Sequence, residues 1–141
     1  MKTNILTLIF LILSTVQVFA TGETMCSAVT KQSKIEIYLL NSRMPASPVL
    51  SGYANVETQI NNRPLSLNFD AKSYELPGYW SVGQELKMFF YKENTEAKEL
   101  EAYALKVEMY YNEEAMDFVG GFEVLINGQV VDQGPIFCEF G

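Results

Sequence analysis

The chain has 141 residues, and its 17 acidic and 10 basic side chains leave a formal charge of −7. That acidity repels phosphate backbones and anionic lipid surfaces, and no run of lysine or arginine offers a local exception, so neither nucleic acid nor a membrane surface is expected as a partner. Histidine is absent from the sequence, which removes Ser-His and Cys-His nucleophilic pairs, imidazole acid–base catalysis and most zinc or copper sites.

In chain order, the first element is a leader. Lys2 lies in a short polar head, an apolar run extends from Ile5 to Leu13, and Val18-Phe19-Ala20 has the small-x-small form of a cleavage site. A membrane span would need roughly 20 predominantly apolar residues, and Ser14, Thr15 and Gln17 interrupt the run first. No cysteine directly follows Ala20, which excludes a lipid-anchored product. The expectation is a signal peptide over residues 1–20 and one domain over 21–141, secreted or periplasmic, with no membrane insertion once the leader is removed. Cys26 and Cys138 are the two cysteines, and an even count in an exported protein predicts a disulfide between them. Such a bridge would clasp the two ends of the domain, and closing a loop of about 100 residues contributes about 4.7 kcal/mol on the chain-entropy model.

Beyond Cys26 the dominant apolar period is two. Ile35, Ile37 and Leu39 alternate with Lys34, Glu36 and Tyr38. The pattern returns at Leu65, Leu67 and Phe69, at Leu86, Met88 and Phe90, and at Leu105, Val107, Met109 and Tyr111. Turn signals separate these runs at Asn61-Asn62-Arg63-Pro64, Pro77-Gly78 and Asn112-Glu113-Glu114. Asn127-Gly128, between Leu125-Ile126 and Val130-Val131, is the clearest hairpin, of type I′. Gly120-Gly121 predicts a bulge or sharp bend in a late strand. Strands are expected over 34–41, 49–60, 64–71, 84–92, 99–111, 116–126 and 129–140, the last broken or unbroken at Gly134-Pro135, for a total of seven or eight. Residues 95–105 compete for helix through their Glu, Lys, Ala and Leu content, against the aromatic alternation from Tyr103 to Tyr111.

Strands without alternating helices predict an all-β, antiparallel β-sandwich of immunoglobulin-like architecture, with a small closed barrel as the alternative. Cysteines at the two ends of the domain, in place of the central strands, set it apart from an antibody-type domain.

Few residues remain to carry chemistry. With both thiols in a bridge and no glycine-rich phosphate loop, no cofactor is expected and catalysis falls to carboxylates. Glu57, Asp70, Glu75, Glu108, Glu123 and Asp132 are available to a hydrolase needing two of them across a bond. Asn112, Glu113, Glu114 and Asp117 form an oxygen-rich turn, a weak calcium candidate that matches no EF-hand spacing; otherwise no metal site is expected. Tyr74, Tyr79 and Trp80 crowd a Pro-Gly turn. On a surface they would anchor a protein or glycan ligand, whereas the usual burial of large aromatics makes Trp80 a plug for one end of the sandwich. Tyr38, Phe89, Tyr91 and Tyr110 fall at outward positions and add weight to an interaction surface. The leading expectation is a non-catalytic module that recognises a protein or glycan. Its rivals are an enzyme inhibitor presenting residues 43–48, stiffened by Pro45 and Pro48 and led by Arg43 and Met44, a carboxylate hydrolase, and a structural envelope domain.

Overall fold

The computed structural model describes residues 21–42, 49–72 and 74–141. The expected signal peptide and the loop with Arg43 and Met44 lie outside the described residues. The strands are β1 (Thr21–Val29), β2 (Ser33–Ser42), β3 (Val49–Ile60), β4 (Arg63–Asp70), β5 (Gly78–Val82), β6 (Glu85–Asn94), β7 (Glu101–Asn112), β8 (Asp117–Ile126) and β9 (Gln129–Phe140). Seven of the nine are those the apolar alternation predicts; β1 and β5 are additional. The competing helix does not form: residues 95–99 make turns and bends, and β7 follows from Glu101. Strand β9 runs unbroken through Gly134-Pro135. Among the described residues no helix is long and apolar enough to cross a membrane.

All pairings are antiparallel, in one sheet of order β4-β3-β2-β1-β9-β8-β7-β6-β5. The all-β sandwich class is therefore correct, and the sheet does not close into the alternative barrel. Every neighbour in it is a sequential hairpin except β1 and β9, an up-and-down meander in place of immunoglobulin Greek-key crossings. The turns suit these hairpins. Asn61 and Asn62 have φ of 51° and 60°, and Asn127 and Gly128 have 49° and 78°, as the predicted type I′ geometry requires.

The sheet folds over on itself and buries one face. Ile35, Leu39, Val56, Phe69, Phe90, Leu105, Val107 and Val124 are fully enclosed, and each such side chain contributes about 1.5–3 kcal/mol by leaving water. Phe69 of β4 and Phe90 of β6 meet with ring centroids 5.9 Å apart, which brings the two arms of the sheet together. Opposite faces of the same strands carry Lys34, Glu36, Lys87 and Glu108, as a two-residue period dictates.

The arms join at one seam. Strands β1 and β9 pair only from Thr24 to Ser27 against Phe137 to Phe140, with two further main-chain bonds between Glu23 and Gly141. Cys26 and Cys138 are direct partners in that register, with Cα atoms 4.0 Å apart and a disulfide between them. Both point into the core, 4% and 1% exposed. Where the two strands separate, side chains take over: Thr30 Oγ1 donates to Asp132 Oδ2 at 2.7 Å, and Gln32 Nε2 donates to the Val131 carbonyl at 3.1 Å.

Gly120 is not at a bulge. The register shift in the β8–β9 ladder lies between Val124 and Leu125, while Gly120 is where β8 presses against β7: a Cβ there would sit 2.1 Å from the Glu108 carbonyl oxygen. Replacing both Cys26 and Cys138 by serine should lower stability by about 2–5 kcal/mol, measured by urea unfolding. In the same assay Gly120→Ala should cost about 3 kcal/mol through backbone overlap, against about 1 kcal/mol for the open turn position Gly128→Ala.

Candidate functional site

The outward face of β5 to β9 is a concave surface built by register. Across the strands, one row reads Trp80, Lys87, Glu108, Gly121, Pro135, and the next reads Gly78, Phe89, Lys106, Glu123, Gln133. Each row has a glycine where a side chain would otherwise stand, so the surface dips there. Beyond Glu108, over Gly120, Gly121 and Gly134, lies a hollow of about 690 Å³ walled by Tyr110, Glu85 and Glu123. A second hollow of about 390 Å³ lies beside Trp80 and Phe89, and Lys87, Lys106 and Glu108 border both. From Trp80 to Gly121 there are three strand spacings, about 14 Å.

A lattice of ion pairs crosses this face. Lys87 Nζ is 3.4 Å from Glu85, and Lys106 Nζ is 3.2 Å from Glu108 and 3.8 Å from Glu123. These side chains are half exposed, so each pair contributes about 0–1 kcal/mol and rearranges at little cost. Both donors and acceptors are thus displayed on a rigid strand scaffold beside the faces of exposed rings: Trp80 is 54% exposed, Tyr110 58% and Phe89 39%.

The three aromatics of the Pro-Gly turn do not converge. Trp80 pairs with Lys87 and faces outward, which overturns the expectation that it plugs the sandwich. Tyr79 pairs with Met88 and packs against the core on the opposite face. Its hydroxyl accepts a hydrogen bond from Asn41 Nδ2 at 3.0 Å, and Asn41 also donates to Thr24 at 2.9 Å. Partial burial raises the Tyr79 phenol above its ordinary pKa. Tyr74 stands fully exposed in the loop before β5.

The other outward rings fall in two groups. Phe89 and Tyr91 stack at 6.3 Å on β6, in the arm with the concavity, whereas Tyr38 and Tyr53 meet at 6.0 Å on the other arm. Burial, with Glu23 nearby, raises the Tyr38 phenol, and a hydrogen bond to Glu93 raises that of Tyr91.

Of the carboxylates named from the sequence, the structure gathers Glu108 and Glu123 around Lys106. Glu75 is tied to Lys92 and to the Asp70 amide, Asp70 accepts from the Lys72 amide, and Asp132 is held by Thr30. Glu57 lines a polar surface on the other arm. In the oxygen-rich turn, Asn112 Oδ1 caps the amides of Glu114 and Ala115, Asp117 Oδ1 accepts from the Phe118 amide, and Glu113 accepts from Gln84. Among the described residues no group of three or more acidic, histidine or cysteine side chains could hold a metal ion. Lys87, Lys106, Glu85 and Gln133 carry no functional signal in the sequence, although the first three occupy the outward half of a clear alternation, and Gly121 stands out there only as an irregularity in a strand.

Tyr79→Phe should lower stability by about 1 kcal/mol in thermal or denaturant unfolding, because Asn41 Nδ2 loses one of its two acceptors and keeps only Thr24. Compared with known proteins, the chain matches no family model, no curated protein and no solved structure.

Proposed function

We propose that this is an exported, non-catalytic recognition module whose outward β5–β9 face binds a glycan. The observation that carries the reading is the exposed ring of Trp80 at one end of a trough whose floor is glycine and whose sides carry paired lysines and glutamates. A planar indole offers a stacking surface for the apolar face of a sugar, and the ion-pair lattice offers fixed donors and acceptors for hydroxyl groups. Carboxylates outnumber ammonium groups along the trough, which favours neutral or amino sugars over acidic ones.

Two features support binding over catalysis. The sequence has no histidine and the Cys26–Cys138 disulfide leaves no free thiol, and the trough carboxylates Glu85, Glu108 and Glu123 each face a lysine. The disulfide is compatible with an extracellular or periplasmic setting, where such bonds persist.

Trp80 is the sole tryptophan, so its fluorescence reports on the site without interference. Screening neutral and amino-sugar oligosaccharides should identify at least one that shifts this emission saturably. By calorimetry, Trp80→Ala should weaken that ligand at least about tenfold, the scale of an aromatic hot spot. Should no glycan bind above background, or should Trp80→Ala bind as the parent does, the glycan reading fails.

A further inference from the structure

Among the described residues the sheet has two unpaired edge strands, β4 and β5, and they are not equivalent. On β4, Pro64 has no N–H to offer, the Asn68 carbonyl accepts from Lys92 Nζ at 3.2 Å, and the Asp70 amide donates to Glu75 at 2.7 Å. That edge is blunted by the devices that keep strands from pairing with foreign chains. Strand β5 has none of them. Its sequence, GYWSV, contains no charge and no proline, its register with β6 has no bulge, and among the described residues no strand lies beyond it.

Which main-chain groups face that edge follows from one hydrogen bond. The Tyr91 amide donates to the Glu75 carbonyl at 2.9 Å, so the main chain of Tyr91 points toward the β5 side of β6. By alternation, so do Phe89, Lys87 and Glu85. Their register partners Gly78, Trp80 and Val82 therefore bond to β6, and the N–H and C=O groups of Tyr79 and Ser81 turn to the open edge.

We propose that two copies of this protein pair through β5, antiparallel, about a two-fold axis at Trp80. In that register Tyr79 exchanges both main-chain bonds with Ser81 of the second copy, and Ser81 with Tyr79 of the second copy, so every edge group is satisfied by the same five residues. Trp80 meets its own symmetry mate as a closely spaced non-hydrogen-bonded pair, a favourable arrangement for aromatic rings. Val82, 56% exposed, comes opposite Gly78, where no side chain stands in its way. A chain with a formal charge of −7 tolerates this self-pairing because the strand that meets its copy is neutral. The dimer would run one sheet through both copies and set their two troughs end to end. It does not rest on the glycan reading, since the edge pairs through the main-chain groups of Tyr79 and Ser81 whereas the trough presents side chains, Trp80 alone entering both.

Sedimentation velocity across a concentration series should show the wild type passing from monomer to dimer. Ser81→Pro removes the edge-facing N–H and leaves the β6 bonds in place, and should weaken self-association at least tenfold while keeping the parental circular dichroism spectrum. Under mild oxidation Trp80→Cys should give a disulfide-linked dimer and Val82→Cys should not, because only position 80 meets itself. A wild type that stays monomeric throughout, a folded Ser81→Pro that dimerises like the parent, or Val82→Cys cross-linking as readily as Trp80→Cys would each overturn the proposal. Sugar binding by a strictly monomeric protein would overturn the dimer alone and leave the trough reading standing.

Discussion

The pairing of β1 with β9 is the constraint on which the rest of the structure depends. Each of the other seven pairings joins strands consecutive in sequence, and each could form as a local hairpin. Without the seam the chain would be two separate meanders, β1–β4 and β5–β9, each with an apolar face open to water. The seam is only four residue pairs long, and closing it confines nearly the whole domain in one loop, an entropic cost that four rungs of ladder meet poorly. The disulfide lies within those rungs, where it removes much of that cost from the unfolded side of the balance. Thr30 and Gln32 then hold the stretch in which the strands have already parted.

Once the seam is made, the core and the outer face are consequences of a single alternation. Folding the sheet brings Phe69 against Phe90 and seals the inward side chains; the same rows, turned outward, become the ladder of Lys87, Lys106, Glu85, Glu108 and Glu123. The glycines connect the two faces. At Gly120 the backbone of β7 approaches too closely for any side chain, and the neighbouring Gly121 leaves a gap between Glu108 and Pro135 in the outward row. A constraint on packing thereby leaves a depression on the surface.

Much of this was legible in the sequence, and the failures have physical causes. Strands with large inward residues, such as Leu86, Met88 and Phe90, announce themselves by alternation. Strand β1 does not, because its inward residues are Thr24, Cys26 and Ala28, too small or polar to register as an apolar period, although the two cysteines already implied that it meets β9. Strand β5 is short and follows a Pro-Gly turn, so its run is too brief to show a period. The same brevity hid the direction of Trp80. Adjacent strand residues face opposite sides, and which of Tyr79 and Trp80 turns outward is decided by the turn at Gly83, with φ of 62°, that sets Trp80 against Lys87. Gly120-Gly121 was legible as an irregularity, but close approach and bulge leave the same mark in a sequence.

The placement of the outer-face residues bears on how such a surface can bind. All of the trough's aromatic and charged groups lie on strands and none on a loop, and their partners across the sheet fix their spacing. A ligand that fits therefore orders few side chains on arrival, which is where much affinity is otherwise lost. Rigidity of this kind also narrows choice, because a trough whose floor is backbone cannot deepen to accept a bulkier guest. For the proposed glycan site, selectivity rests on the spacing from Trp80 to the Lys106 cluster, and that spacing is a property of the whole folded sheet, maintained from the far side by the Cys26–Cys138 seam.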